Sequence, residues 1–249
     1  MLSAKGVTRH GEALFMVLFL LGGLGPTISP YLSFWMVKDK NGLKVYHTHL
    51  FKWKLNIFWY VIPFVISFTV LFVADGVYHF LANDSGFMQG IKPWFMIFPL
   101  FVMMFFGGGL EELGWRGIAL PELERKYSAL FSSIILGLIW IIWHIPLFFI
   151  KGVNQYGSNI FVFALGVMGL TFILSWIYNR TGSILICIIF HDSFNMAATM
   201  GFGGVVVQSS EMLRGLVASL MLIIVGLSLL MIFSTRKELG KKPDIHTNS

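Results

Sequence analysis

Charged residues are scarce in this 249-residue chain: Asp, Glu, Lys and Arg make up 12% of it, against about 25% in an average soluble domain. Hydrophobic residues make up 56%, and the mean hydropathy is +0.77. So few charges cannot cover the surface of a soluble globular domain or keep a disordered chain solvated. The composition therefore indicates an integral membrane protein.

Cysteine is nearly absent, and so are internal repeats. The single cysteine, Cys187, cannot form an internal disulfide, which excludes a disulfide scaffold. A Cys–His nucleophile with His191, four residues later, is conceivable, but a small apolar residue in a helix is the better interpretation. The lack of two related halves argues against a transporter built from inverted repeats.

Long apolar stretches are present instead, and about 20 such residues span a bilayer as a helix. We predict an all-α polytopic membrane protein with seven transmembrane helices around a polar intramembrane cavity. The number becomes eight if Pro26 and Pro30 split the first stretch. The predicted spans are 13–37, 55–73, 94–110, 128–150, 159–178, 183–200 and 216–233.

We expect one transmembrane helical domain over residues 1–236, with a motif-bearing core at about 94–200, and a short polar cytoplasmic tail at 237–249. With seven spans, 13 of the 18 Lys and Arg residues lie on one side of the membrane. Basic residues accumulate on the cytoplasmic side, so this side is predicted to be cytoplasmic. The net charge of +6 is then a signal of topology, and we expect no nucleic-acid partner.

The first interruption of the apolar pattern follows the third span. Three glycines at 107–109 and one leucine precede Glu111, and Glu112 and Arg116 follow it. Glu112 and Arg116 are four residues apart, so on a helix they share a face and can pair. Glu111 is turned about 100° away and can meet a different partner. The glycines would let another backbone or a substrate approach closely.

Two further interruptions lie within later spans. Trp140 and His144 are four residues apart in the fourth span, and His191 and Asn195 are four apart in the sixth. Any one of these residues alone is best explained as an interhelical contact. Together with the glutamates and the arginine they exceed what structure requires, and they predict a functional cluster. The role of Asp192 stays open.

The three motifs occur in the order EExxxR, aromatic-xxx-His and HxxxN on successive membrane helices. This order resembles the CPBP family of intramembrane proteases, which includes the type II CAAX prenyl endopeptidases and bacteriocin-processing proteins. The resemblance covers about residues 94–200. Trp140 stands where the family often has Phe.

The resemblance implies a glutamate-activated peptidase. Glu111 would be the general base, and His144 would help to hold and activate the water. His191 and Asn195 would donate hydrogen bonds to the oxyanion. Glu112 and Arg116 would form a supporting pair.

A zinc version of this chemistry would use Glu111, His144 and His191 as ligands. The chain has no His-Glu-x-x-His run, and the resemblance favours chemistry without a cofactor. The expected substrate is a hydrophobic peptide or a membrane-anchored protein within the lipid bilayer. We expect the protein in a bacterial cell membrane, with its site open toward the cytoplasm.

Two alternatives remain open. One is a non-catalytic bacteriocin-immunity or membrane scaffold protein of the same family, and the lower-ranked one is a proton-coupled transporter.

The predicted depths of the motifs conflict. Glu111 would lie near the cytoplasmic end of its helix, whereas His144 would lie about two-thirds of the way across the next span. The cluster closes only if the fourth helix begins earlier, around Pro121, or if the spans tilt.

Overall fold

A computed structural model describes residues 21–83, 85–151, 153, 155–201 and 212–233. The first part of the predicted span 13–37 and the predicted tail at 237–249 lie outside the described residues. Everything regular in the described part is helical. The all-α prediction is therefore confirmed.

Ten helices, linked in places by tighter or wider helical turns, form the described part of the chain. Turns of 3₁₀ type lie at Trp94–Met96, Gly109–Glu111 and Ile145–Phe149, and a π-helical turn lies at Trp115–Ala119. The helices are α1 (Gly25–Val37), α2 (Lys40–Leu50), α3 (Phe58–Ala82), α4 (Ile97–Gly107), α5 (Glu112–Gly114), α6 (Leu120–Glu124), α7 (Ala129–His144), α8 (Ile160–Thr181), α9 (Ile184–Met200) and α10 (Met212–Phe233).

Four helical segments in this part of the chain are long and apolar enough to cross a membrane. They are Phe58–Ala82, Trp94–Glu124, Ala129–Phe149 and Ile160–Thr181. Two shorter apolar helices, Ile184–Met200 and Leu213–Leu229, accompany them. The structure thus supports a polytopic membrane protein, while the predicted number of seven or eight spans is not confirmed.

Three predicted helix starts coincide with side-chain caps. Ser128, Asn159 and Ser183 each accept a hydrogen bond from a backbone N–H in the first turn of α7, α8 and α9 respectively. Such caps satisfy donors that have no partner within the helix. The predicted starts at 128, 159 and 183 therefore agree with the structure.

The second predicted span ends too early. It stops at Val73, before the polar residues Asp75 and His79, yet α3 continues to Ala82. Asp75 Oδ1 lies 3.5 Å from His79 Nε2, and Arg214 Nη2 of α10 lies 2.9 Å from the same nitrogen. These pairs allow the helix to continue, and they give His79 partners that the sequence did not reveal.

Helix α8 lies at the centre of the bundle. Of its most apolar 18-residue window 72% is buried, against 17–33% for the other three long segments. Glycines bring α10 against it: a Cβ on Gly169 would lie 2.7 Å from both the Ile223 nitrogen and the Leu222 carbonyl carbon. Small residues allow this close approach of helix backbones in a membrane, where van der Waals packing drives association.

The close approach of α8 and α10 at Gly169 predicts that a larger residue there destabilises the protein. Gly169→Ala should reduce the free energy of unfolding by about 1–3 kcal/mol, because the added methyl group meets backbone that cannot move aside locally. Gly107→Ala is the matched control, since nothing lies within 4 Å of a Cβ there. Thermal unfolding of both variants in one detergent checks this, and equal midpoints would contradict the crossing.

Candidate active site

The helix that carries the glutamates is broken just before them. Gly108 ends α4 with φ −176° and ψ −40°. The chain resumes as the turn Gly109–Glu111, continues through α5 and then widens into the π-helical turn Trp115–Ala119. π-helical turns inside helices are frequent at functional sites. Here the break and the turn bring the motif EExxxR against the middle of α9.

Glu112 forms a buried ionic triad with Arg116 and His191. The side chains of Glu112 and Arg116 are completely buried. Arg116 Nη1 lies 3.0 Å from Glu112 Oε1 and 2.9 Å from Oε2, and His191 Nδ1 lies 2.8 Å from Oε1. A carboxylate can only accept, so Nδ1 of His191 carries the hydrogen. The supporting pair thus joins α5 and the π-helical turn to α9.

Glu111, although adjacent, has a different environment. It is half-buried, and its Oε2 accepts hydrogen bonds from Trp140 Nε1 at 2.9 Å and from Trp115 Nε1 at 3.2 Å. Its other oxygen, Oε1, has no hydrogen-bond partner within the described residues. The two indoles therefore fix the carboxylate while leaving one oxygen available.

His144 lies at the end of α7, close to Trp140. Its Nδ1 lies 2.9 Å from the Trp140 carbonyl oxygen. A carbonyl oxygen can only accept, so Nδ1 carries the hydrogen of this bond, and in the tautomer with one hydrogen Nε2 has the lone pair. Its ring packs 5.1 Å from that of Phe163. Within the described residues no hydrogen bond joins it to Glu111. The Trp140 indole is the link, because it contacts Glu111 and its ring lies 6.0 Å from that of His144.

His191 and Asn195 converge on the break at Gly108. A Cβ placed on Gly108 would lie 2.8 Å from Asn195 Nδ2 and 3.2 Å from His191 Nε2. Two nitrogens of α9 therefore approach the same point. The backbone N–H of Glu111 donates to the Gly108 carbonyl at 2.9 Å, so this point lies within one helical turn of the half-buried glutamate.

The side chains next to Gly108 and Gly109 belong to α9. A Cβ on Gly109 would overlap the carboxylate of Asp192. Asp192 is completely buried, and neither of its oxygens has a hydrogen-bond partner in the described part of the chain. The sulfur of Cys187 lies 3.9 Å from the Leu174 carbonyl, so the thiol contacts α8.

Sequence reasoning missed the two indoles as partners of Glu111. Trp115 lies four residues after Glu111, a spacing that places both on one helix face. Trp140 replaces the Phe frequent in related motifs, and only the indole has an N–H to donate. The spacing of Trp115 and the indole at position 140 can both be read from the sequence. The contact between Trp140 and Glu111 cannot, because it joins two helices.

The zinc ligand set is not assembled by these side chains. Among the residues that the structure describes, no group of three or more His, Cys, Asp and Glu side chains is arranged to hold a metal ion. Of the proposed ligands, Glu111 is held by indoles and His191 by Glu112. The described arrangement therefore does not present Glu111, His144 and His191 as a ligand shell.

Of the two resolutions predicted for the conflict of depths, the earlier start of the fourth helix is wrong. Helix α7 begins at Ala129 and not near Pro121, which belongs to α6. The helical segment of the third span continues to Glu124, so Glu111 lies within it and not at its end. The break at Gly108 and the contact with His191 then place the carboxylates beside the middle of α9.

Comparison with known proteins adds an independent observation. A family model described as "Type II CAAX prenyl endopeptidase Rce1-like" matches residues 93–197. The chain is also 28% identical over 202 residues to a protein named CAAX prenyl protease 2 from Methanococcus maripaludis, covering 74% of this chain and 72% of that protein. The predicted resemblance to the type II CAAX prenyl endopeptidases is confirmed.

The Rce1-like segment contains all three motifs and ends within α9. It begins at the N-terminal end of the span Trp94–Glu124 and includes α7 and α8. The match supports a peptidase, and together with the apolar helices it indicates a membrane protein. Helices α1, α2, α3 and α10 lie outside the Rce1-like segment and complete the bundle around it.

The buried triad predicts a large loss of stability when one partner is removed. Arg116→Leu should reduce the free energy of unfolding by about 3–5 kcal/mol, because Glu112 is left as a buried charge without its cation. Arg125→Leu removes the same charge from a pair whose side chains are 74% and 58% exposed, and it should cost about 1 kcal/mol or less. Denaturation of both variants measures the difference, and similar losses would show that the triad contributes no more than a surface pair.

Proposed function

We propose that this protein is an intramembrane endopeptidase that hydrolyses peptide bonds by glutamate-activated water. The observation that carries the proposal is the difference in environment between the adjacent residues Glu111 and Glu112. Glu112 is completely buried and ion-paired with Arg116 and His191. Glu111 is only half-buried, its Oε1 has no hydrogen-bond partner within the described residues, and it closes the turn at Gly108, on which two nitrogens of α9 converge. A catalytic base requires such an available oxygen within reach of the reacting atoms.

In the proposed first step Glu111 and His144 activate a water molecule. Glu111 Oε1 takes a proton from the water while Oε2 stays bonded to the indoles of Trp115 and Trp140. His144 Nε2 accepts a hydrogen bond from the same water, because its Nδ1 hydrogen is given to the Trp140 carbonyl. The water oxygen then forms a bond to the carbonyl carbon of the scissile peptide. The carbonyl double bond becomes a single bond to an oxyanion.

In the proposed second step α9 stabilises this oxyanion. Asn195 Nδ2 and His191 Nε2 are the donors, and their convergence near Gly108 supports this role. His191 has to be protonated on both nitrogens to donate from Nε2, and its Nδ1 hydrogen is already bonded to Glu112. Glu111 then returns its proton to the leaving amine as the carbon–nitrogen bond breaks.

The proposed substrate is a hydrophobic or lipid-modified peptide associated with the membrane. The relative's name, CAAX prenyl protease 2, favours a prenylated peptide among these. The outward face of α4 is apolar, with Phe98 74% and Phe106 70% exposed, which suits contact with lipid. The distribution of Lys and Arg supports a site that opens toward the cytoplasm.

Replacement of the proposed base tests the mechanism. Glu111→Gln should reduce turnover by about 10²–10⁴-fold, because the amide oxygen still accepts from the indoles but cannot take a proton. Glu122→Gln is the matched control, since Glu122 is 58% exposed in its pair with Arg125. The measurement compares membrane and secreted peptides from cells that express each variant at matched levels, followed by assay of the purified protein on the peptide found.

A peptide whose cleaved form disappears only with Glu111→Gln identifies substrate and cut site together. Unchanged peptide profiles, with a cellular phenotype that Glu111→Gln still rescues, would overturn the peptidase proposal in favour of the immunity or scaffold protein. Metal analysis of the same preparations separates glutamate from zinc chemistry. One zinc per active chain that Glu111→Gln releases would overturn the metal-free version.

Removal of the amide donor tests the oxyanion role. Asn195→Ala should lower kcat by about 10²–10³-fold with little change in KM, because the interaction forms only in the transition state. Asn179→Ala is the control, since Asn179 Nδ2 donates to Glu124 Oε1 at 2.8 Å, away from the site. Steady-state kinetics on one peptide measures kcat and KM of both variants. A change confined to KM would assign Asn195 to substrate binding.

A further inference from the structure

The elbow between α1 and α2 carries a concentration of positive charge. Lys38, Lys40 and Lys44 lie at or after the bend and are all exposed. Asp39 is the one acidic residue between positions 31 and 57. Its Oδ1 accepts the Gly42 N–H at 2.7 Å as the N-cap of α2. The elbow therefore presents an excess of cations to its surroundings.

Large apolar side chains are exposed beside these lysines. Trp35, Met36 and Val37 at the end of α1 are 75%, 67% and 71% exposed, and Phe51 and Trp53 after α2 are 68% and 62% exposed. Tryptophan together with lysine is typical of the boundary between the hydrocarbon of a membrane and water. A helix at the surface of the bilayer presents this combination, with its lysines within reach of lipid headgroups.

A cavity of about 540 Å³ opens at the same elbow. Tyr31, Phe34, Trp35, Met36 and Leu43 supply its largely apolar wall, and Lys38, Asp39 and Lys40 complete its lining. Such a site offers apolar contact for the upper part of an acyl chain and ammonium groups for a phosphate. The two chemistries occur together in a phospholipid with a net negative charge.

Both helices of the elbow are attached to the segment that bears the glutamates. Thr27 Oγ1 of α1 donates to the Leu110 carbonyl at 3.2 Å, and Tyr46 Oη of α2 donates to the Leu113 carbonyl at 3.4 Å. Burial raises the pKa of the Tyr46 hydroxyl, so this donor stays protonated. A Cβ on Gly114 would overlap the Pro26 carbonyl, so α1 lies directly against α5.

We propose that the elbow binds an anionic phospholipid, with its phosphate on Lys38, Lys40 and Lys44 and the start of an acyl chain in the cavity. Binding would hold α1 and α2 together and thereby fix residues 110–114, between which both glutamates lie. Anionic lipid would then be an activator of the site. The activating role rests on the proposed peptidase function, whereas the lipid site itself does not.

The test uses the full-length protein in nanodiscs of phosphatidylcholine with or without phosphatidylglycerol. The elbow variant combines Lys38→Gln, Lys40→Gln and Lys44→Gln. The control variant combines Lys52→Gln, Lys54→Gln and Lys126→Gln, which removes the same charge from the same predicted side but outside the cavity lining. Native mass spectrometry counts the phosphatidylglycerol retained, and turnover is measured in both lipid compositions.

We expect the elbow variant to retain one phosphatidylglycerol fewer than wild type and to bind it about a hundredfold more weakly, since each lysine near an anionic surface contributes about fivefold. The control variant should retain as much as wild type. Phosphatidylglycerol should stimulate turnover of wild type and control but not of the elbow variant. Inorganic phosphate added to phosphatidylcholine nanodiscs should not replace the lipid.

Equal loss of lipid from both variants would show general surface attraction and overturn the site. Stimulation by inorganic phosphate alone would overturn a lipid as the occupant. If the elbow variant alone loses the lipid while turnover of wild type ignores lipid composition, the activating role is wrong and the site stands. If no variant cleaves any peptide, the proposed function fails, and lipid retention still decides the site.

Discussion

The cost of a charge inside a membrane protein is the constraint on which the arrangement of the site depends. Glu112 and Arg116 are fully buried, so each is tolerated only beside the other. His191 adds a second partner from α9. This triad keeps the glutamate segment against the middle of α9, and the break at Gly108 and the π-helical turn allow it to lie there. Glu111 is consequently held beside α9 without being paired itself.

Close packing supports this arrangement from both sides. On one side, Gly108 and Gly109 leave room for Asn195, His191 and Asp192 of α9. On the other side, the elbow of α1 and α2 contacts the backbone at residues 110–114. The central helix α8 packs against α7, which carries Trp140. The indole of Trp140 in turn holds Glu111. The carboxylates therefore lie in a rigid frame, as a preorganised site requires.

Sequence predicted well what depends on local chemistry. The caps at Ser128, Asn159 and Ser183 are short-range features, and the motif spacing follows from the helix repeat. The ends of the second and third spans were predicted too early, because a hydropathy window averages side chains and contains no information on their partners. It ended a span before Asp75 and His79. Arg214, from a helix far along the chain, balances the charge of Asp75 and donates a hydrogen bond to Nε2 of His79. The indole contacts of Glu111 are likewise tertiary, and no periodicity contains them.

The separation of roles between neighbouring glutamates has an evolutionary consequence. Glu112 maintains the architecture, while Glu111 contributes little to it beyond two indole contacts. On the proposed mechanism, a gene duplicate that lost Glu111 would keep its fold and become a pseudoenzyme. The reverse order of loss would leave a buried arginine without its counter-ion. Inactive descendants of such a chain should thus have another residue in place of Glu111 and keep Glu112.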